Sequence, residues 1–270
     1  MSELVYHCVA WLMNGVRVNR TEAFIENGIP MVRKRRRPWG SVVVWFANRF
    51  LALAQSGVCM FVRSEDWIDW EVYCAGLLYP DRASVRIGPG ASVTMEKVDG
   101  ISLRQHIVQH VLHVSHLTAA ACEFRRVHQI SCCRFNGPWS HGDLHLDNCI
   151  YVPADGTAVL IDFDVRHEFG AAPRLRHADD LRVFLLELMA SMDEHWQPLA
   201  KAFLEEYREP SVLNELRQLL VTPRGFTKIL WYTRINSSSA GKMDQRMKCL
   251  HDMIEQVTSS QQISPTPPPL

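Results

Sequence analysis

The sequence predicts an α+β fold in which a small antiparallel sheet precedes a mainly helical C-terminal part. Residues 1–37 contain short β-prone runs, and Asn14-Gly15 and Asn27-Gly28 lie between such runs. An Asn-Gly pair in that position is the sequence signal of a tight β-hairpin. Residues 102–130 and 194–256 instead carry apolar side chains at helical spacing. Strands are therefore expected at the start of the chain and helices towards its end.

Composition indicates a globular protein without a nucleic-acid partner. The chain has 270 residues, of which 47% are hydrophobic, enough for one large domain or two lobes. Lys plus Arg equals Asp plus Glu at 29 each, so the formal net charge is zero and no polyanionic partner is indicated. The first residues lack the basic and long apolar regions of a signal peptide. We therefore expect a cytoplasmic protein with reduced cysteines.

One apolar segment, residues 42–62, is long enough to cross a bilayer. Asn48, Arg49, Gln55 and Ser56 interrupt it. An Arg near the middle of a membrane span costs about 2.5–3.5 kcal/mol on insertion scales. The segment is therefore expected to form a buried helix or a helix at a membrane surface rather than a membrane span.

The most informative stretch, residues 139–164, contains a polar loop followed by a predicted hairpin. Asn148 follows Asp143 by five residues, and two apolar runs joined through Asp155-Gly156 lead to Asp162. One loop and one hairpin should bring Asp143, Asn148 and Asp162 close together. Phosphoryl transfer requires such a set, because one carboxylate orients the attacking hydroxyl while an amide oxygen and a second carboxylate hold Mg²⁺.

These residues carry a resemblance to a known superfamily. The motif His141-Gly142-Asp143-x-His145-x-x-Asn148, followed by Ile161-Asp162-Phe163-Asp164, resembles the catalytic and metal loops of protein-kinase-like phosphotransferases. It is most similar to the branch that contains aminoglycoside phosphotransferases, choline kinases and bacterial lipopolysaccharide-core sugar kinases. The resemblance implies a bilobal fold that uses ATP and Mg²⁺.

The implied lobes can be given boundaries. Residues 1–95 would form the N-lobe, residues 96–100 the hinge and residues 101–257 the C-lobe. Residues 258–270 are polar and Pro-rich, so we expect a disordered tail.

The resemblance also implies roles for the residues of the C-lobe. Asp143 would orient and deprotonate the acceptor hydroxyl, and Asn148 and Asp162 would hold the metal. Supporting roles are expected for His141, His145, Asp164 and Asp180. Asp180 precedes an apolar helical run, so it would either anchor the backbone of the catalytic loop or cap the start of that helix.

In the N-lobe, Lys34 is the candidate for the lysine that steadies the α- and β-phosphates of ATP. The alternative is that the basic run 33–37 is only a solvated edge or a patch for anionic lipid. Glu71, on a helix predicted over residues 65–78, is the candidate partner of Lys34. Glu65 competes for that role, and the alternative is that Glu71 is a surface carboxylate. The long gap between Lys34 and Glu71 implies an inserted helix at about residues 45–55.

The hinge is predicted where a strand over residues 91–100 ends in Gly100. By resemblance, backbone groups near Glu96 and Val98 would bind the adenine edge; the alternative is an ordinary edge strand and turn.

The acceptor is a hydroxyl whose identity the sequence leaves open. The resemblance favours a sugar or glycolipid, and the basic run and apolar helix would suit peripheral association with the inner membrane. A serine/threonine protein kinase is a second possibility, although the chain lacks an Ala-Pro-Glu signature and places Gly142, not Arg, after His141. A third is a nucleotide-binding pseudokinase that keeps the loop, does no chemistry and serves as a scaffold. No Gly-rich phosphate loop occurs in residues 1–37, so the two Asn-Gly turns would cover the phosphates more loosely.

Overall fold

The computed structural model describes residues 18–81, 85–222, 228 and 240–263. It has the predicted α+β class, with a small antiparallel sheet followed by a mainly helical part. The strands are β1 (Asn19–Glu26), β2 (Ile29–Arg36), β3 (Val58–Met60), β4 (Arg86–Gly88), β5 (Ser92–Glu96), β6 (Ile101–Ser102), β7 (Ser131–Cys132), β8 (Gly137–Pro138), β9 (Cys149–Val152), β10 (Thr157–Leu160) and β11 (Val165–His167). The helices are α1 (Gly40–Leu53), α2 (Ser64–Leu78), α3 (Leu103–Val108), α4 (Val114–Gln129), α5 (Pro173–Ser191), α6 (Trp196–Tyr207), α7 (Pro210–Leu219) and α8 (Ala240–Ile263).

The N-terminal sheet has the strand order β1-β2-β5-β4 and is antiparallel throughout. The predicted turn at Asn27-Gly28 joins β1 to β2, with φ angles of 51° and 80° at its two residues. Both positive angles suit the tight hairpin turn that an Asn-Gly pair favours. The other expected turn, Asn14-Gly15, lies outside the described residues. Because β2 runs between β1 and β5, Lys34 lies on an interior strand, opposite Val93.

The apolar segment 42–62 is divided between a helix and a strand. The inserted helix predicted at about 45–55 is α1, and the chain then forms β3, which pairs with β11. Within the described part of the chain, no helix is long and apolar enough to cross a membrane.

The C-terminal part packs around one large core. Phe124 of α4, Phe184 of α5 and Phe203 of α6 are fully buried and their rings are in contact. The region 102–130, expected to be helical throughout, forms two helices, because the chain bends between α3 and α4 and His110 adopts a φ of 58°.

The chain end differs from the expected disordered tail. Residues 258–263 continue α8, and the buried Thr258 donates a hydrogen bond from its hydroxyl to the carbonyl of Ile254. Leu250, Ile254 and Val257 anchor this helix in the core. Once a helix is anchored, each added residue gains a backbone hydrogen bond, so polar residues can extend it. Residues 264–270 lie outside the described residues.

The predicted second hairpin is β9–β10, and β6 joins it through β9. Gly100, just before β6, is needed here, because a Cβ at this position would clash with the carbonyl oxygen of Tyr151. The close approach brings the end of the predicted hinge against the hairpin that precedes Asp162.

Candidate active site

The centre of the candidate site is the buried ammonium group of Lys34. Its Nζ lies 2.8 Å from Glu71 Oε1, 2.8 Å from Asp162 Oδ1 and 3.3 Å from Asp164 Oδ1. These partners come from α2 and from the loop between β10 and β11. The structure therefore brings the predicted lysine and glutamate together with both aspartates of the Asp-Phe-Asp motif.

Glu71 is held in this position by its ion pair with Lys34 and by a hydrogen bond from the backbone of Phe163. It is completely buried on α2, and its Oε2 accepts a hydrogen bond of 3.1 Å from the backbone N–H of Phe163. A buried carboxylate needs such partners to offset the loss of water. The alternative in which Glu71 is a surface carboxylate is therefore wrong. Glu65, the competing candidate, is exposed at the start of α2 and lies 3.7 Å from Arg63.

Burial and the neighbouring charges shift the pKa values of all four groups in this cluster. Burial raises the pKa of Glu71 to about 7, even though the charge of Lys34 acts in the opposite direction. Burial and the charge of Asp162 raise the pKa of Asp164. Burial alone would raise the pKa of Asp162, but the charge and hydrogen bond of Lys34 lower it overall. Burial alone would lower the pKa of Lys34, but the three carboxylates keep it well above the ordinary value.

Asp164 has two further partners that sequence reasoning missed. Trp67 Nε1 donates a hydrogen bond of 2.5 Å to Asp164 Oδ1, and Asn19 Nδ2 donates to Oδ2. Trp67 lies one helical turn before Glu71, so the i, i+4 spacing on α2 could have indicated it. Asn19 has no comparable sequence signal, because only the pairing of the strands brings it near residue 164.

The loop that carries Asp143 depends on Gly142 and Asn148. Gly142 has a φ of 93°, and a Cβ there would lie 2.9 Å from the Cα of Arg166, so the position requires glycine. Asn148 Nδ2 donates a hydrogen bond of 2.9 Å to the carbonyl of Asp143, which leaves the amide oxygen outside this bond. The N–H of Ile161 donates to the carbonyl of Asn148 at 3.0 Å. Asn148 is thus connected to both predicted functional loops.

Asp180 of α5 anchors the backbone of this loop. It is completely buried, and its carboxylate accepts hydrogen bonds from the N–H groups of His141, at 2.9 Å, and Gly142, at 2.8 Å. The interpretation of Asp180 as a helix cap is wrong, because α5 begins at Pro173, seven residues earlier. Burial alone would raise the pKa of Asp180, but neighbouring histidines, including His128 at 3.2 Å, lower it to about 2.

The two histidines of the motif take different positions. His141 is buried, and its Nε2 lies 3.1 Å from the carbonyl of Ile161, so it connects the two loops. His145 Nε2 lies 3.8 Å from Asp143 Oδ2, and its Nδ1 lies 4.0 Å from Glu187. Burial alone would lower the pKa of His145, but the surrounding carboxylates raise it overall. Glu187 was not expected at the site; it also accepts a hydrogen bond from the N–H of Leu146.

A cavity of about 540 Å³ adjoins the Lys34 cluster. Glu96 and Val98 both line it, as do Glu71, Asp162 and Phe163. The carbonyl of Val98 accepts a hydrogen bond of 3.0 Å from Gly100 N–H. The cavity is of a size that accommodates a small-molecule ligand. The predicted hinge thus lies at the wall of a cavity whose other end reaches the acidic cluster.

The donor set fits a divalent cation. Ligand oxygens of Glu71, Asp162 and Asp164 lie within 4.8 Å of one another, and Lys34 contacts all three carboxylates. Mg²⁺ prefers carboxylate and amide oxygens. Asp162 also has a φ of 68°, which is unusual for a residue with a side chain and is typical of functional sites.

Comparison with known proteins finds structural similarity but no match to a family model or a curated protein. No family model matches the sequence, and no curated protein matches it. Among solved structures, an ethanolamine kinase from Plasmodium vivax matches over 92% of this chain and 86% of its own, with a TM-score of 0.44 and 10% sequence identity. Because both values are low, the assignment of function depends on the side-chain geometry.

Proposed function

We propose that this protein is a kinase that transfers the γ-phosphoryl group of ATP to a hydroxyl group. The observation that carries the proposal is the contact of Lys34 with both Glu71 and Asp162, at 2.8 Å each. The three residues are distant in sequence, and their order and type match the phosphate lysine, its glutamate partner and the metal-binding aspartate of the superfamily.

Each residue has a role that follows from its position. Asp143 is 39% exposed at its side chain and is free to face an acceptor hydroxyl, which it would orient and deprotonate. Mg²⁺, held by Asn148 and Asp162, would neutralise charge on the phosphates. Lys34 would bind the α- and β-phosphates, and Glu71 would keep the lysine in place. The cavity beside Glu96 and Val98 would take the adenine.

The acceptor we propose is a sugar or glycolipid hydroxyl, in line with the resemblance to lipopolysaccharide-core kinases. A protein hydroxyl is less well supported, because the segment after Asp164 contains no Ala-Pro-Glu motif and because Gly142, not Arg, follows His141. The exposed carboxylate of Asp143 favours an active enzyme over a scaffold, since the group that would act as base is present and accessible.

Two measurements test the proposal. ATP with Mg²⁺ should raise the unfolding free energy by about 2.7 kcal/mol at a ligand concentration a hundredfold above Kd. Incubation with γ-labelled ATP and separate lipid, sugar and protein fractions should then label one fraction. The Asp143→Ala variant provides the control for label transfer. Nucleotide binding without label in any fraction would favour the scaffold, and no stabilisation by ATP would contradict a nucleotide site.

A further inference from the structure

The solvent-facing side of α1 is apolar. Val42 is 59% exposed, Trp45 45%, Phe46 63% and Leu53 67%, and their spacing places them on one face. The opposite face includes the buried Val44. A surface helix of a globular protein normally directs its polar side outward. In α1 the solvent-facing side is apolar as well as the buried side, which is typical of a surface with a partner.

The same face carries positive charge and exposed tryptophan. Arg49, the one charged residue of α1, lies with its guanidinium carbon 5.0 Å from the ring centre of Trp45. Trp39, just before the helix, is 43% exposed and lies 5.5 Å from the guanidinium carbon of Arg37. Tryptophan and arginine together suit the boundary between lipid head groups and acyl chains, where the ring is partly buried and the charge reaches the phosphates.

A cavity of about 520 Å³ lies beside the start of α1. Its charged lining residues are Arg20, Arg35, Arg36 and Arg37, and Ser41 and Ser64 add hydroxyl groups. In the described ranges, Arg35, Arg36 and Arg37 form no ion pair, so their charges are not neutralised by a direct contact. A cavity with this lining should attract an anion.

Arg36, one of the residues that line this cavity, has N–H groups without a hydrogen-bond acceptor among the described residues. The residue is only 6% exposed, and its Nη1 donates a hydrogen bond of 2.8 Å to the carbonyl of Phe61. Its buried Nε and Nη2 have no hydrogen-bond partner among the residues that the structure describes. A buried guanidinium with unpaired N–H groups is costly, and phosphate oxygens would satisfy it.

We propose that α1 and the arginine-lined cavity form a docking surface for a bilayer that contains anionic phospholipid. Val42, Trp45, Phe46 and Leu53 would enter the boundary of the acyl chains, and the phosphate of one lipid head group would occupy the cavity. Apolar side chains alone would not select a bilayer over a protein. The neighbouring arginines select it, because the required partner must be apolar at α1 and anionic at the cavity.

This surface is directly connected to the candidate active site. Asn48 of α1 bonds to both the N–H and the carbonyl of Met60 in β3, each at 2.8 Å. Strand β3 pairs with β11, which begins one residue after Asp164. Docking through α1 would therefore hold the metal loop at a fixed position relative to the bilayer. The docking proposal itself does not depend on the proposed phosphoryl transfer.

The test is sedimentation of the full chain with vesicles, without ATP. We expect binding to vesicles of phosphatidylcholine mixed with phosphatidylglycerol, weaker binding at high salt, and little binding to phosphatidylcholine alone. Arg35→Gln combined with Arg37→Gln should weaken binding by about 30-fold. Trp45→Ser combined with Phe46→Ser should weaken it on the order of tenfold or more.

Matched controls use exposed residues elsewhere. Val108→Ser, at a valine that is 69% exposed, and Lys201→Gln, at a lysine whose side chain is 58% exposed, should leave vesicle binding unchanged. Unchanged thermal unfolding would show that the test variants are folded. Equal binding to neutral and anionic vesicles, or native binding by either double variant, would overturn the proposal. So would a change of oligomeric state in the Trp45 and Phe46 variant without vesicles, since a second copy would then cover the face.

Discussion

The ammonium of Lys34 lies 2.8 Å from Asp162 Oδ1, although the two residues are 128 positions apart in the sequence. Asp162 is also the residue proposed to hold Mg²⁺. In this structure the lysine therefore contacts the carboxylate that the metal would use. If Asp162 held Mg²⁺, the divalent charge would replace the lysine ammonium as its partner. Lys34 would then be available to bind the phosphates of ATP.

Replacement of Lys34 tests this relationship. Lys34→Met leaves the buried carboxylate of Glu71 and the partly exposed carboxylates of Asp162 and Asp164 without their cation, so we expect a loss of about 3–5 kcal/mol of unfolding free energy, mostly from Glu71. Mg²⁺ should restore part of this loss, because it can neutralise the same oxygens. Denaturant unfolding in EDTA and in Mg²⁺ measures both effects. Lys201→Met, at an exposed lysine, is the control, and a Lys34 variant as stable as the native protein would contradict the cluster.

Asp143→Ala should abolish turnover and leave nucleotide binding largely intact. The loss should be about 10²–10⁴-fold if general-base catalysis is its only contribution. Its carboxylate makes no hydrogen bond within the described ranges, so stability should change little. Turnover with labelled ATP and ATP titration by calorimetry separate the two effects. Asp69→Ala, at an exposed position on α2, is the matched control. Native turnover in the Asp143 variant would remove this residue from the mechanism.

Asp162→Ala should give the opposite pattern, with weakened binding of Mg²⁺ and ATP. The variant removes a proposed metal ligand and also one partner of Lys34. We expect the apparent Kd for ATP to rise in the presence of Mg²⁺ and to depend less on the Mg²⁺ concentration than in the native protein. Calorimetric titration at several Mg²⁺ concentrations measures this. The same Mg²⁺ dependence in both proteins would exclude Asp162 as a ligand.

Much of this site was predictable because its residues lie in short local patterns. Asp143, Asn148 and Asp162 are connected by one loop and one hairpin, and the apolar runs and the Gly-containing turn of that hairpin are visible in the sequence. Lys34 could be placed on a strand because the turn at Asn27-Gly28 fixes the start of β2.

Other features depended on contacts that no local pattern contains. Asn19 reaches Asp164 only because β1 pairs with β2, and Glu187 reaches His145 only because α5 packs beneath the loop. The role of Asp180 was open because the start of α5 could not be located. Pro173 begins that helix, and Asp180 therefore lies two turns inside it, where its carboxylate accepts a hydrogen bond from the N–H of Gly142.

Removal of the Asp180 carboxylate should detach the loop that carries Asp143. Asp180→Ala leaves the N–H groups of His141 and Gly142 buried without an acceptor, at a cost of about 1–3 kcal/mol for each. We expect lower stability together with faster amide hydrogen exchange at residues 141–143. Asp252→Ala, at a largely exposed position on α8, is the control. Native exchange rates in the loop would show that Asp180 does not anchor it.

Two buried histidines that are held neutral should each contribute a loss of stability as the pH is lowered from 7 to 5, whereas Glu71, whose pKa is raised to about 7, acts in the opposite direction. Burial and His128 lower the pKa of His177 to about 3, and its Nε2 lies 2.9 Å from the carbonyl of Trp139. Burial and neighbouring histidines lower the pKa of His116 to about 4, and its Nδ1 accepts a hydrogen bond from His113 N–H.

The sign of the effect follows from the direction of these shifts. An unfolded histidine takes up its proton near pH 6.5, whereas the folded pKa values lie well below that, so acid favours the unfolded chain throughout this range. Each histidine should remove about 2 kcal/mol of unfolding free energy between pH 7 and pH 5.

His177→Gln should therefore show a pH-dependent loss about 2 kcal/mol smaller than that of the native protein, whatever its absolute stability. Denaturant unfolding at a series of pH values measures this. His251→Gln, at a side chain that is 41% exposed on α8, is the control variant. An unchanged pH dependence in the His177 variant would mean that this histidine is not held neutral in the folded protein.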